Sequence, residues 1–231
     1  MSEPIISVSG LRGIVGESLT PEIALRYACA FATPLRGGTI VITRDGRATG
    51  PMLSALLKGA LSALGCNVLD ADVAATPTTG VLVRQHKAVG GIQISASHNP
   101  PQYNGLKLFS PEGRVIPEIA GTEVIARYRN ERPAWASYDR LGTLYTCDDS
   151  IGRHLELVLR TVDVERIRSR RFKVLLDANH GSGSVLGAKL LEALGCRVKV
   201  SNTIMRTLDE KARLAQDALQ LASAMAGATV G

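Results

Sequence analysis

Short apolar runs alternate with helix-patterned stretches through the first hundred residues, and that alternation restricts the chain to an α/β architecture. Residues 39–43 read as a β-branched strand. Residues 51–64 then place Met52, Leu53, Leu56, Leu57, Ala60, Leu61 and Leu64 at helical spacing, with Gly65 as the stop. A strand follows at 67–69, Thr76-Pro77 opens a helix carrying Val81 and Leu82 on its apolar side, and 91–95 is a further strand. This order predicts a mixed, largely parallel sheet flanked by helices. Ahead of it, 5–9 reads as a strand ending in the glycine-rich turn Gly10-Leu11-Arg12-Gly13, and Thr20-Pro21-Glu22 starts a helix. Beyond it, residues 106–109 and 114–116 around Ser110-Pro111-Glu112-Gly113 predict a hairpin on the sheet edge.

The pattern then recurs. Leu61-Ser62-Ala63-Leu64-Gly65-Cys66-Asn67-Val68 is echoed by Leu191-Glu192-Ala193-Leu194-Gly195-Cys196-Arg197-Val198, each after a strand-like run, a polar loop and a helix. The strand-like run of the second copy is 172–176. Residues 131–146, with Pro133, Trp135, Tyr138 and Gly142 and no clear period, separate the copies as a linker. Two similar α/β domains in tandem are expected, 1–147 and 148–231. Residues 208–226 read as a helix and 227–231 as a strand entry that stops at once, so the second domain is expected to be incomplete.

Composition narrows the function. The chain has 231 residues, with 45% hydrophobic, 21% charged and only 4% aromatic residues. That is an ordinary globular balance with few platforms for stacking bases. A net charge of +6 suits an anionic ligand. The basic residues are dispersed, and the one cluster, Arg168, Arg170 and Arg171, reads as a solvated face, so nucleic acid is not expected as a partner. No secretory signal opens the chain and no apolar run approaches the ~20 residues of a membrane span. Cys29, Cys66, Cys147 and Cys196 form no C-x-x-C pair, which suits reduced thiols in a cytoplasm.

Ligands of open α/β sheets bind beyond the carboxyl ends of the strands. There the sequence places Arg12, Arg44, Arg47, the loop 95–99 and Lys107, which follows the Asn104-Gly105 turn. Guanidinium forks bind phosphate oxygens bidentately and an ammonium adds a point charge, so these cations around two hydroxyls, His98 and the Asn99 amide describe a phosphate site. Ser97 beside His98 is poor as a hydrolytic pair. Adjacent side chains on an extended loop point apart, and no flanking carboxylate orients His98. A dinucleotide reading of Gly181-Ser182-Gly183-Ser184-Val185-Leu186-Gly187 fails because its third glycine is one position late, and Val200-Ser201-Asn202 offers no acid for a ribose hydroxyl.

The whole run Ser95-Ala96-Ser97-His98-Asn99-Pro100-Pro101-Gln102-Tyr103-Asn104-Gly105-Leu106-Lys107 resembles the phosphoserine signature of the α-D-phosphohexomutase superfamily, which includes phosphoglucomutases, phosphomannomutases and phosphoglucosamine mutases. Ser9-Gly10-Leu11-Arg12-Gly13, Thr43-Arg44-Asp45-Gly46-Arg47 and Leu176-Asp177-Ala178-Asn179-His180-Gly181-Ser182-Gly183 are similar to further family segments. Val8 departs from the threonine many members have. The resemblance implies that Ser97 carries a phosphoryl group, exchanged with a hexose phosphate through a hexose 1,6-bisphosphate that also serves as activator. It implies that Arg12 and Lys107 stabilise the transferring group, that His98 aids proton transfer or positions the loop, and that Arg47, Arg44, Asn99 and Asn104 bind phosphate or support the loop. It also implies Mg²⁺ bound through the Ser97 phosphate and three aspartates of an Asp-rich loop that this sequence lacks. The partners implied are a phosphorylated hexose and the remaining domains of a parent enzyme. Alone, the chain is expected to be inactive, and the alternative is a non-catalytic domain pair.

Overall fold

The computed structural model describes residues 3–7, 10–178, 181–202 and 205–226. Among them, one seven-stranded sheet in the order β1-β2-β6-β5-β3-β4-β7 organises the first 147 residues. Its strands are β1 (Ile5–Ser7), β2 (Gly10–Ile14), β3 (Thr39–Arg44), β4 (Asn67–Val73), β5 (Gly90–Ile94), β6 (Tyr103–Phe109) and β7 (Leu144–Thr146). The pairings β5–β3, β3–β4 and β4–β7 are parallel, whereas β1–β2, β2–β6 and β6–β5 are antiparallel. Consequently β2, β3, β4, β5 and β7 point one way and β1 and β6 the other. The fold is mixed α/β with a mostly parallel sheet.

Helices cover the two faces unequally. α1 (Pro21–Ala32), α2 (Gly50–Ala63) and α4 (Glu118–Asn130) pack one face, where Leu11, Ile40, Ile42, Ile92, Ile94 and Leu106 join the buried faces of α1 and α2 in the main core. α3 (Thr76–Gln85) lies on the other, where Val41, Leu69, Ala71 and Phe109 meet Leu82 and Val83. Strand alternation divides these sets, because neighbouring residues face opposite sides. Thr20 caps α1 by accepting from the Ile23 amide at 3.3 Å, with Pro21 at the first helical position.

Three expectations need correction. The glycine-rich segment 10–13 is no turn but part of β2, which pairs along its length with β6. Nor is β6 an edge hairpin. It lies inside the sheet between β2 and β5, and the return arm is reduced to one bridge, Phe109 to Val115. Finally, 131–146 is no free linker. Its end forms β7, and Gly142 N donates to Ser62 O at 2.9 Å while Val68 N donates to Thr143 O at 2.9 Å, strapping the segment to α2 and β4. The missing periodicity was misleading because a three-residue edge strand is too short to show one.

Beyond residue 147 the described chain is helical: α5 (Gly152–Leu159), α6 (Val164–Ser169), α7 (Gly183–Ala193) and α8 (Leu208–Ala226). The repeat survives as a helix followed by a left-handed glycine, Gly65 at φ +88° after α2 and Gly195 at φ +83° after α7. Strand expectations at 172–176 are not met, and Phe172, Val174, Leu175 and Leu176 are exposed. A strand needs a partner ladder to satisfy its backbone, and none of the described residues supplies one. Val8, Ser9, Asn179, His180 and the strand entry at 227–231 lie outside the described residues. No helix of the described residues is long and apolar enough to cross a membrane.

Two measurements follow from this packing. Leu57 is fully buried and Leu175 is 92% exposed. Leu57→Ala is expected to lower stability by about 2–5 kcal/mol and Leu175→Ala by less than about 0.5 kcal/mol in urea melts. The second concerns His154 of α5, whose Nδ1 lies 2.9 Å from the Thr78 hydroxyl of α3. Burial lowers its pKa from the ordinary 6.5. The neutral ring is therefore favoured in the folded state, so its contribution is complete above about pH 6.5 and is lost as pH falls through the lower folded value. A thermal-melting series from about pH 8 to 5 should show this slope, and His154→Gln should flatten it.

Candidate active site

Where β5 ends, the chain turns through a loop that returns as β6, and Ser97 stands on it. Ser95 and Ala96 are buried, whereas Ser97 and His98 are exposed. The turn closes locally: Ser95 Oγ accepts from Ser97 N at 3.0 Å, and Ala96 O accepts from Asn99 N at 3.1 Å. Ser97 has φ +56°, a left-handed backbone that a non-glycine residue adopts at roughly 1–3 kcal/mol. Something must hold it there.

Arg47 does. Its Nη1 donates to Pro100 O at 2.8 Å and Tyr103 O at 3.0 Å, and its Nη2 donates to Ser97 O at 3.0 Å and Asn99 O at 2.6 Å. The remaining N–H, on Nε, faces Asp45 Oδ2 at 3.2 Å, and Asp45 Oδ1 also accepts from the Arg47 amide at 3.0 Å. Arginine has five N–H donors in a rigid fork, and here every one is engaged. Arg47 therefore clamps the loop and has no donor left for a phosphate.

The other predicted residues divide. Arg44 turns to the end of β4, where Nη2 meets Asp72 Oδ1 at 2.7 Å, so it does not face the loop. Asn104 is fully buried in β6, with Nδ2 donating to Thr49 Oγ1 at 2.9 Å and Oδ1 accepting from Gly105 N at 2.8 Å, and is a tie in the floor. Asn99 Oδ1 is buried without a hydrogen-bond partner among the described residues. Arg12, opposite Gly105, and Lys107, opposite Gly10, share one sheet face by register, the face of α3. α3 packs over β3 and β5 and leaves β2 open, so Arg12 is exposed and Lys107 half-buried. Neither side chain makes an ion pair or hydrogen bond with a described residue. His98 is likewise unpartnered among the described residues, with no carboxylate to orient it.

Sequence reasoning missed Asp45 as the anchor of the clamp and Gln93, buried on the sheet face that α3 covers. A signal existed for the second, since Gln93 is the one polar side chain in the otherwise apolar β5. No group of three or more His, Cys, Asp or Glu among the described residues could hold a metal ion. Asp45, which orients the clamp beneath the loop, is committed to Arg47. Six oxygen ligands in fixed geometry are thus not offered by the described residues, which alone do not fit Mg²⁺.

The fold is a three-layer α/β domain with a clamped serine loop and, among the described residues, two unpaired cationic side chains on one sheet face. Residues 4–134 match the family described as phosphoglucomutase/phosphomannomutase, alpha/beta/alpha domain I, and the chain belongs to that family. It is 39% identical over 194 residues to a phosphoglucomutase/phosphomannomutase of Thermococcus kodakarensis, covering 82% of this chain and 42% of that protein. A phosphoglucosamine/phosphogalactosamine mutase of Sulfurisphaera tokodaii is 32% identical over 200 residues, covering 86% and 44%. Among solved structures, a phosphoglucomutase/phosphomannomutase family protein of Burkholderia thailandensis superposes with a TM-score of 0.61 at 26% identity, covering 84% and 44%. The chain therefore spans less than half the length of these relatives.

The clamp can be tested directly. Arg47→Ala should accelerate amide exchange across residues 97–99 by roughly 30-fold, the equivalent of losing about 2 kcal/mol of local hydrogen bonding. Arg47→Lys should recover little of it, because an ammonium keeps the charge and lacks the fork.

Proposed function

We propose that this chain is the phosphoserine-bearing part of a phosphohexomutase that interconverts hexose 1-phosphate and hexose 6-phosphate. Phospho-Ser97 gives its phosphoryl group to a hydroxyl of the bound sugar phosphate: the bond from phosphorus to Ser97 Oγ breaks and one to the sugar oxygen forms. The sugar bisphosphate then returns its other phosphoryl group to Ser97, leaving net movement between O1 and O6. The observation that carries this reading is the Arg47 clamp, which holds Ser97 in a left-handed backbone at the exposed tip of its loop while its neighbour Ser95 stays buried.

The remaining roles follow from where each group lies. Phosphoryl transfer needs positioning and charge stabilisation more than covalent help from the protein. Arg12 and Lys107, unpaired on the face beside the loop, supply positive charge to the transferring group. His98, exposed next to Ser97, takes the proton released by the attacking hydroxyl, and the Ser97 oxygen takes up a proton as its bond to phosphorus breaks. Arg47, Asn104 and, through β4, Arg44 support the scaffold. The Mg²⁺ of the resemblance would take oxygens of the Ser97 phosphate from this chain and its carboxylates from elsewhere in the enzyme. The relatives are named for different hexoses, so the sugar is left at the class of hexose phosphates.

Incubation of a full-length parent enzyme with a hexose 1,6-bisphosphate should place one phosphate on Ser97, mapped by peptide mass spectrometry, and Ser97→Ala should abolish it. Phosphate on Ser95 with Ser97 unmodified would overturn the assignment.

A further inference from the structure

We propose that Gln93 is a positioning residue for Lys107, its side-chain oxygen holding the ammonium in place on the open face beside the Ser97 loop. The inference rests on the reading of Lys107 as a group that serves the transferring phosphoryl. Gln93 is 1% exposed on β5 and its Nε2 donates to Ala74 O at 3.1 Å. A carbonyl can only receive a donor, so this bond fixes which end of the amide is which and turns Oε1 the other way. Oε1 is buried with no hydrogen-bond partner among the described residues. A buried acceptor left without a donor is unfavourable, and native structures seldom keep one.

Register decides which donor can reach it. Gln93 stands opposite Lys107 on β6 and opposite Thr43 on β3. Thr43 pairs with Thr79, hydroxyl to hydroxyl at 2.6 Å, and neither of these hydroxyls makes a hydrogen bond to Oε1. The Lys107 ammonium carries three N–H donors and makes no hydrogen bond with a described residue, and directly opposed cross-strand side chains start only about 4.5–5.5 Å apart at Cβ. A flexible four-carbon stem spans the rest. The other cation of this face, Arg12, lies a strand farther away on β2, opposite Gly105. The pairing satisfies the orphan oxygen and confines an ammonium that would otherwise sample many rotamers. Since Gln93 is in turn fixed by Ala74 at the end of β4, Lys107 is referenced to the parallel half of the sheet.

The test measures lysine side-chain order by ¹³Cε NMR relaxation in the 231-residue chain. Lys107 should be markedly more ordered than the exposed Lys87 and Lys173, and Gln93→Met, similar in size but without the oxygen, should bring it down to their level. A purely structural Gln93 would change the melting temperature and leave Lys107 order unmoved, which would overturn the proposal. Should Gln93→Met not fold, the wild-type chain decides: contacts between Lys107 ε protons and Gln93 γ protons support the pairing, and their absence overturns it. Phosphoryl transfer plays no part in this measurement, so a negative result leaves the Ser97 reading standing, and an unphosphorylated Ser97 leaves this contact standing.

Discussion

The guanidinium of Arg47 sits where three segments of chain must agree. It belongs to the connection between β3 and α2, where Asp45 two residues earlier orients it, and it gathers three carbonyls from the loop between β5 and β6 and a fourth, Tyr103 O, from the start of β6. Four carbonyl oxygens converging on one point would repel one another and lose their hydration without a cation among them. With the fork in place each becomes a charge-assisted bond, roughly twice as strong as a neutral one. That outweighs the unfavourable backbone of Ser97. It also ties the serine to the register of β3 against β5, which the bond from Asp45 N to Ile94 O at 3.0 Å extends past the strand ends.

Sheet topology supplies the other half of the arrangement. Inserting the reversed strand β6 between β2 and β5 brings Lys107 and Arg12 onto a face that α3 only partly covers. Three helices on the opposite face carry most of the apolar burial, so the sheet does not need a full second layer for its stability. An unpaired cation under a helix would face a large desolvation penalty. Placed toward the open side, Arg12 stays exposed and Lys107 half-buried, so neither is fully desolvated.

Much of this was legible where a residue's local role and its place in the fold agree. Thr20 followed by proline, and the leucine spacing of α2 ending at Gly65, signal their elements because capping and helical periodicity are local physics. The Ser97 loop was legible as a run of residues. Gly10 misled, since it reads as a turn glycine and is in fact a strand residue at a close approach, where a side chain would lie 2.2 Å from Leu106 O. Whether Arg44 or Arg47 reaches the loop could not be read from their shared position after β3. That depends on where Asp72 and Asp45 stand, which is settled by tertiary packing.

Charge balance shows why separating the clamp from the ligand-facing cations matters on the proposed reading. Arg47 and Asp45 form a nearly neutral pair, each side chain 15% exposed, so together they project little field onto Ser97 whatever its state. The clamp can thus hold the loop equally well with or without phosphate on the serine. A phosphoserine brings about −1.5 to −2 charges at neutral pH, close to the combined +2 of Arg12 and Lys107. Were Arg47 among the phosphate ligands, each transfer would pull donors from the four carbonyls and loosen the loop as the phosphoryl group left. Keeping the two tasks on different residues lets the charge on Ser97 change during turnover while its position does not.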